Sequence, residues 1–251
     1  MYQLLLAVGR VLIFLITRRR ISGQEQTPTS GALLIISNHL GNLDPIIIGT
    51  KLPRRLYILA KVELFSWPLI GWLARKADVI PIRRGQSDRD ALRRVLEHLE
   101  AGQAVLLYPE GTYPKGATPI GLIKAQPGAA MLALRSRATI LPIGISGSEY
   151  VWTKRGLPRN LVRRWPVEVK VGEPYRPNLP PGVSQKQALA LVSEEMMQRI
   201  AALLPEAYRG YYREEAMPAG AAVVLPHESS SETKTEHQAQ LTIEPESATA
   251  E

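Results

Sequence analysis

The 251-residue chain has no cysteine, two phenylalanines and four histidines. Without thiols it can form no disulfide, use no thiolate nucleophile and hold no Cys-ligated zinc. A cysteine-free chain is compatible with a reducing cytosol but does not require one. Long hydrophobic runs are scarce as well. The most apolar stretch, 1–17, is broken by Gln3 and Arg10, whereas a spanning helix needs about 20 apolar residues. A secretory leader would carry its charges before the apolar run and a small-residue cleavage site after it. Here Arg18, Arg19 and Arg20 come after the run and no such site follows. No internal repeat is present.

The charge that is there is unevenly spread. The chain carries a net +8, yet residues 217–251 hold six Glu against one Lys, a net −5, so residues 1–216 carry +13. A surface that basic suits anionic lipid, phosphorylated substrates or nucleic acid. The tail is rich in Ala, Ser, Thr, Glu and Pro and poor in aliphatics. It cannot bury enough surface to order itself, so residues 217–251 are expected to be disordered.

Gln3, Arg10 and Thr17 are spaced by sevens, which places them on one narrow stripe of a helix. Residues 1–22 therefore read as a helix lying in a bilayer interface, the arginine triplet among anionic headgroups. A helix packed on the domain core, or one spanning with Arg10 snorkelling, are the alternatives. Beyond the polar loop 23–29, strand-like runs at 32–37, 56–61, 78–82, 104–108, 139–145 and 167–171 alternate with helix-like stretches at 44–51, 64–76, 87–101, 127–137 and 184–204. Ser87 with Asp90 resembles a capping box, and Pro127 suits a first helical turn. Such alternation predicts a single α/β domain, residues 23–216, with a largely parallel central sheet flanked by helices.

Four segments carry chemistry. Ser37-Asn38-His39-Leu40-Gly41-Asn42-Leu43-Asp44-Pro45 follows a predicted strand, and ligands gather at strand ends in sheets of this kind. A carboxylate five residues after a histidine, across a turn, can meet one imidazole nitrogen and leave the other as a general base. His98 lies in a charged helical stretch, and His227 and His237 lie in the tail, so His39 is the one good candidate. No serine or cysteine elbow accompanies it, so the substrate itself supplies the hydroxyl. Tyr108-Pro109-Glu110-Gly111-Thr112 offers a carboxylate, backbone N–H groups and a hydroxyl at a second strand end. Val79-Ile80-Pro81-Ile82-Arg83-Arg84-Gly85 delivers two arginines suited to phosphate. Ile140-Leu141-Pro142-Ile143-Gly144 reads as strand core plus a turn.

In this order the four segments resemble the blocks of the glycerophospholipid acyltransferase family typified by 1-acylglycerol-3-phosphate acyltransferases. Asn38, His39 and Asp44 match its Asn-His-x-x-x-x-Asp block. Arg84 matches the arginine after an Ile-Pro-Val-like strand. Tyr108 through Thr112 match Phe-Pro-Glu-Gly-Thr, and Leu141-Pro142-Ile143 match the last block. The likeness covers roughly residues 30–150.

The resemblance implies that His39, oriented by Asp44, deprotonates the acceptor hydroxyl for attack on an acyl-CoA or acyl-carrier-protein thioester. It further implies that Arg84, Glu110, Gly111 and Thr112 bind the acceptor's glycerophosphate portion and that Pro142 shapes the acyl or donor channel. No metal or bound cofactor is implied. The partners are membrane lipid and the acyl carrier, not nucleic acid, and the location is the cytoplasmic face of a membrane. One departure concerns the acceptor. Where the family has Arg after Glu-Gly-Thr this chain has Tyr113, with Lys115 and Lys124 as candidate replacements. Lysophosphatidic acid is the leading acceptor, with another lysolipid, an amino lipid or a glycolipid as alternatives. Water as acceptor would make the protein a hydrolase. A non-catalytic lipid-binding protein would share the basic charge but leave His39 and Asp44 unexplained. The basic segment 154–164, flanked by Trp152 and Trp165, fits an interfacial lipid contact at least as well as a nucleic acid.

Overall fold

The computed structural model describes residues 2–83, 88–111, 121–151 and 164–213. Among them, seven strands form one sheet in the order β1-β7-β6-β2-β5-β3-β4. The strands are β1 (Thr17–Ser22), β2 (Leu33–Ser37), β3 (Leu56–Lys61), β4 (Ile80–Ile82), β5 (Ala104–Leu107), β6 (Thr139–Ser146) and β7 (Trp165–Val171). All neighbours run parallel except β6 and β7. This is the expected largely parallel α/β sheet.

The apolar runs that made β2 and β5 legible follow from their central place. Every residue of both strands is buried, because helices cover both faces of a parallel sheet. Alternate side chains feed two cores. Leu34, Ile36, Val105 and Ile140 join helices α4 (Arg89–Glu100), α5 (Pro127–Ser136) and α6 (Gln185–Leu203) through Val95, Leu132, Met196 and Ile200. Leu33, Ile35, Leu106 and Ile143 join α1 (Tyr2–Ile16) and α2 (Asp44–Gly49) through Ile13, Ile16, Ile47 and Ile48. The handedness of the crossovers explains this partition. The β2-to-β3 and β3-to-β4 connections both step toward the β4 edge, while β4-to-β5 and β5-to-β6 step back. Right-handed crossovers therefore put α2 and α3 (Pro68–Lys76) on one face and α4 and α5 on the other.

Local signals hold in part. Pro127 stands in the first turn of α5. Helix α4 is capped by Asp88, whose side chain accepts from the Ala91 amide, not by the Ser87–Asp90 pair; Ser87 lies outside the described residues. The complete capping box is at α6, where Ser184 and Gln187 bond reciprocally. Gly144 is not in a turn, since β6 runs on to Ser146. A Cβ at Gly144 would come within 2.8 Å of Leu203 Cβ, so the glycine lets α6 approach the sheet.

The N-terminus departs most from its sequence reading. The helix stops at Ile16, and Thr17–Ser22 is an edge strand paired parallel with β7 over six residues. Its only aliphatic residue is Ile21, so no hydrophobic run betrayed it, and its three arginines suit an edge that must not recruit another strand. Two members of the polar stripe, Arg10 and Thr17, find backbone acceptors. Arg10 Nε donates to the Thr50 carbonyl at 3.1 Å, and buried Thr17 donates to the Ile13 carbonyl. Val8, Val11, Phe14 and Leu15 face outward instead. No helix among the described residues is long and apolar enough to cross a membrane. The tail 217–251 lies outside the described residues.

Candidate active site

Strand β2 sits between β6 and β5, so the segments leaving their carboxyl ends adjoin. Asn38 ties two of them together. Its Nδ2 donates to the Ile145 carbonyl and its Oδ1 accepts from the Ile145 amide, both at 2.8 Å. The clamp continues the pairing of β2 with β6 one residue past the ladder and fixes the start of the loop that carries His39.

That loop folds around one carboxylate. Asp44 opens α2, and its Oδ2 accepts from His39 Nδ1 at 2.8 Å, from the Leu40 amide at 2.7 Å and from the Gly41 amide at 2.8 Å. Asp44 is fully buried and His39 is 4% exposed. A carboxylate held by two backbone amides cannot swing away from the imidazole, so the Nδ1–H tautomer is favoured and the basic lone pair falls on Nε2. Beneath, the Tyr108 ring stacks on the imidazole, 4.0 Å between centroids at 14°. Sequence spacing thus anticipated the His39–Asp44 contact, whereas Tyr108 was legible only as a motif member and Asn38 carried no sign of its partner 107 residues away.

Glu110, a candidate for holding the acceptor, lies deep. It is 2% exposed; Oε1 accepts from the His39 amide at 3.3 Å and Oε2 from the Ile123 amide at 3.0 Å. Burial pushes its carboxyl up to about 7, against the pull of the Ile123 and His39 amides, and the nearby Asp44 carboxylate adds to the rise. Gly111, at φ +69°, closes a turn by donating its N–H to the Tyr108 carbonyl at 2.9 Å. A Cβ there would press on Gln126 Cγ at 3.1 Å in a backbone conformation that favours glycine.

The remaining candidates are dispersed. Lys124 is exposed and sits over the Tyr211 ring at 4.6 Å, one residue beyond the amide that Glu110 holds. Pro142 is buried within β6, level with Ile36 and three residues short of the Asn38 clamp; its ring packs beside Gly172. Arg84, Thr112, Tyr113 and Lys115 lie outside the described residues, as does most of the segment 154–164. Among the described residues no group of three His, Cys, Asp or Glu could hold a metal ion. What the geometry can do is general-base chemistry on a hydroxyl brought to His39.

Comparison with known proteins agrees. The chain is 34% identical over 129 residues to a lyso-ornithine lipid O-acyltransferase of Pseudomonas aeruginosa, spanning 51% of this chain and 46% of that one, about half the relative's length. It is 24% identical over 201 residues to a 1-acyl-sn-glycerol-3-phosphate acyltransferase of Bacillus subtilis, covering 80% of this chain and 95% of that one. The crystal structure of a 1-acyl-sn-glycerophosphate acyltransferase from Thermotoga maritima superposes with a TM-score of 0.59 at 23% identity, over 78% of this chain and 76% of the other, a likeness of fold. The acyltransferase family model matches residues 18–146, from β1 through the end of β6, with His39, Asp44 and Glu110 inside it; the chain belongs to the acyltransferase family.

Proposed function

We propose that the protein transfers a fatty acyl group from an acyl-CoA or acyl-carrier-protein thioester to the free hydroxyl of a lysolipid, at the cytoplasmic face of a membrane and in phospholipid biosynthesis. The observation that carries this reading is the 2.8 Å contact between His39 Nδ1 and an Asp44 carboxylate locked by two backbone amides. With Nδ1 committed, Nε2 takes the proton of the acceptor hydroxyl as its oxygen attacks the thioester carbonyl. The carbon–sulfur bond then breaks, the thiol leaves with the proton from the imidazolium, and an ester forms. Asp44 stabilises the imidazolium in between. Glu110 holds the His39 amide from behind, a positioning role. Gly111, Thr112, Arg84, Lys115 and Lys124 are the candidates for holding the acceptor, and Pro142 for backing the acyl channel.

Lysophosphatidic acid is the acceptor that the Bacillus relative's name suggests. A second reading has its own support. Tyr113 stands in the sequence where the family motif has an arginine, and the Pseudomonas relative is named for an amino-lipid acceptor, a lyso-ornithine lipid. Incubating the protein with a thioester donor and a panel of lysolipids, with products read by mass spectrometry, decides between them. His39→Ala should lower transfer by roughly 10²–10⁴-fold while leaving the fold intact. A folded His39→Ala protein that keeps most of its activity defeats the mechanism.

A further inference from the structure

Helix α3 is built inside out for a helix on a globular domain. The residues it buries are Gly71 and Ala74. Those it exposes are Leu69 and Trp72, at 68% and 44%, with Ile70 at 37%, and Trp67, which caps its N-terminus, is 59% exposed. Gly71 makes the reason geometrical. A Cβ there would stand 2.3 Å from the Phe65 carbonyl oxygen, so α3 is pressed by its small side against the 3-10 turn Val62–Ser66 and holds its large side away. Soluble monomers rarely expose so dense an apolar cluster without an occupant.

We propose that this surface is a second membrane contact, which enters the headgroup region of an anionic bilayer together with the outer face of α1. Charge and side-chain type select a bilayer over a protein partner. Tryptophan favours the boundary between headgroups and acyl chains. The last turn of α3 adds exposed Arg75 and Lys76, and the acids nearby are Glu63 on the preceding turn and Asp78, which pairs with Arg55. Placement selects it too. The crossovers put α3 on the same face of the sheet as α2, against which α1 packs through Gly9 and Ile46. Trp67 follows β3 by a single 3-10 turn, past the carboxyl end of the parallel strands, the end from which the His39 loop also leaves β2. Two apolar contacts on one face fix the tilt of the molecule, which one helix cannot do. The inference rests on the acyl-transfer reading only for its purpose, not for its test.

Replacing Trp67, Trp152 and Trp165 by Phe leaves Trp72 as the one tryptophan of the full chain, excited selectively at about 295 nm to avoid the nine tyrosines. On vesicles of phosphatidylcholine with phosphatidylglycerol, its emission should shift to the blue and be quenched by lipid brominated near the headgroup. The double variant Trp67→Ser, Leu69→Ser should partition onto the same vesicles about tenfold more weakly, and Arg75→Gln with Lys76→Gln should lose preference for phosphatidylglycerol over pure phosphatidylcholine. An unquenched Trp72 with unchanged partition of the double variant overturns the proposal. So does a double variant whose only change is to convert a dimer into a monomer, since the surface would then belong to a second copy. Quenching is read without any acceptor, so it decides the surface even if His39→Ala overturns the transfer reading.

Discussion

Asp44→Asn separates the charge of the carboxylate from its shape. Asp44 Oδ2 takes three donors while Oδ1 is buried with no partner among the described residues. The amide oxygen should therefore occupy the Oδ2 position and keep all three bonds, with the amide nitrogen buried where Oδ1 now sits. His39 then keeps its orientation and its Nδ1–H tautomer. What goes is the attraction between a carboxylate and the imidazolium that forms as the acceptor is deprotonated. For charge centres about 4 Å apart at an effective dielectric near 20, that attraction is ~4 kcal/mol. At about 1.4 kcal/mol per decade it is a loss of roughly 10³-fold in the chemical step. Single-turnover transfer, with product followed by mass spectrometry, should show this fall with acceptor KM within about twofold, because Asp44 acts through His39. Burying an amide without an acceptor should cost about 1–3 kcal/mol of stability, visible as a lower Tm. If the amide instead flips and donates to Nδ1, the wrong tautomer results and the loss approaches 10⁴-fold. A folded Asp44→Asn protein with single-turnover rates within about fivefold of the parent refutes the reasoning.

Glu110 offers a pH test. Its carboxyl is raised from 4.5 to about 7 by burial, so the fold favours the protonated form; that stability is present below pH 4.5 and lost as pH rises through about 7. The unfolding free energy of the parent relative to Glu110→Gln should fall by about 3 kcal/mol between pH 4.5 and 8, and a flat difference would contradict the burial argument. Asn38→Ala removes two buried hydrogen bonds, so denaturant melts should show a loss of about 2–4 kcal/mol, with faster hydrogen exchange at the Ile145 amide; unchanged exchange there would deny the clamp. Arg84→Ala should raise KM for a phosphorylated acceptor about tenfold with little change in kcat, whereas an unchanged KM together with preference for an uncharged acceptor would remove phosphate from the reading.

What was legible in the sequence was whatever a buried environment writes into a short window. The central strands announce themselves because both faces are covered, and β6 was found even with Pro142 inside it. The His39–Asp44 contact was legible because its partners lie five residues apart. Strand β1 was not, because an edge strand of three arginines has no hydrophobic signature and owes its pairing to β7, some 150 residues later. Glu110 illustrates the other limit. Its motif placed it at the right strand end, but its depth is set by the amides of His39 and Ile123 closing over it, and no local pattern reports that.

The direct passage from α1 into β1 has a mechanical consequence. Ile16 is the last residue of the helix and Thr17 the first of the strand, with no linker between them. Six registered pairs then weld the strand to β7. A force applied to the helix by its surroundings is transmitted to the sheet as torque and cannot be absorbed by a swivel. It follows that trimming the first 20 residues to obtain a detergent-free protein would strip the flank of β7 as well, leaving unpaired amides and carbonyls as a template for aggregation. Cutting after Ile16 spares that seam but strips Ile13 and Ile16 from the core face they close, so the helix and the sheet are one unit from both sides.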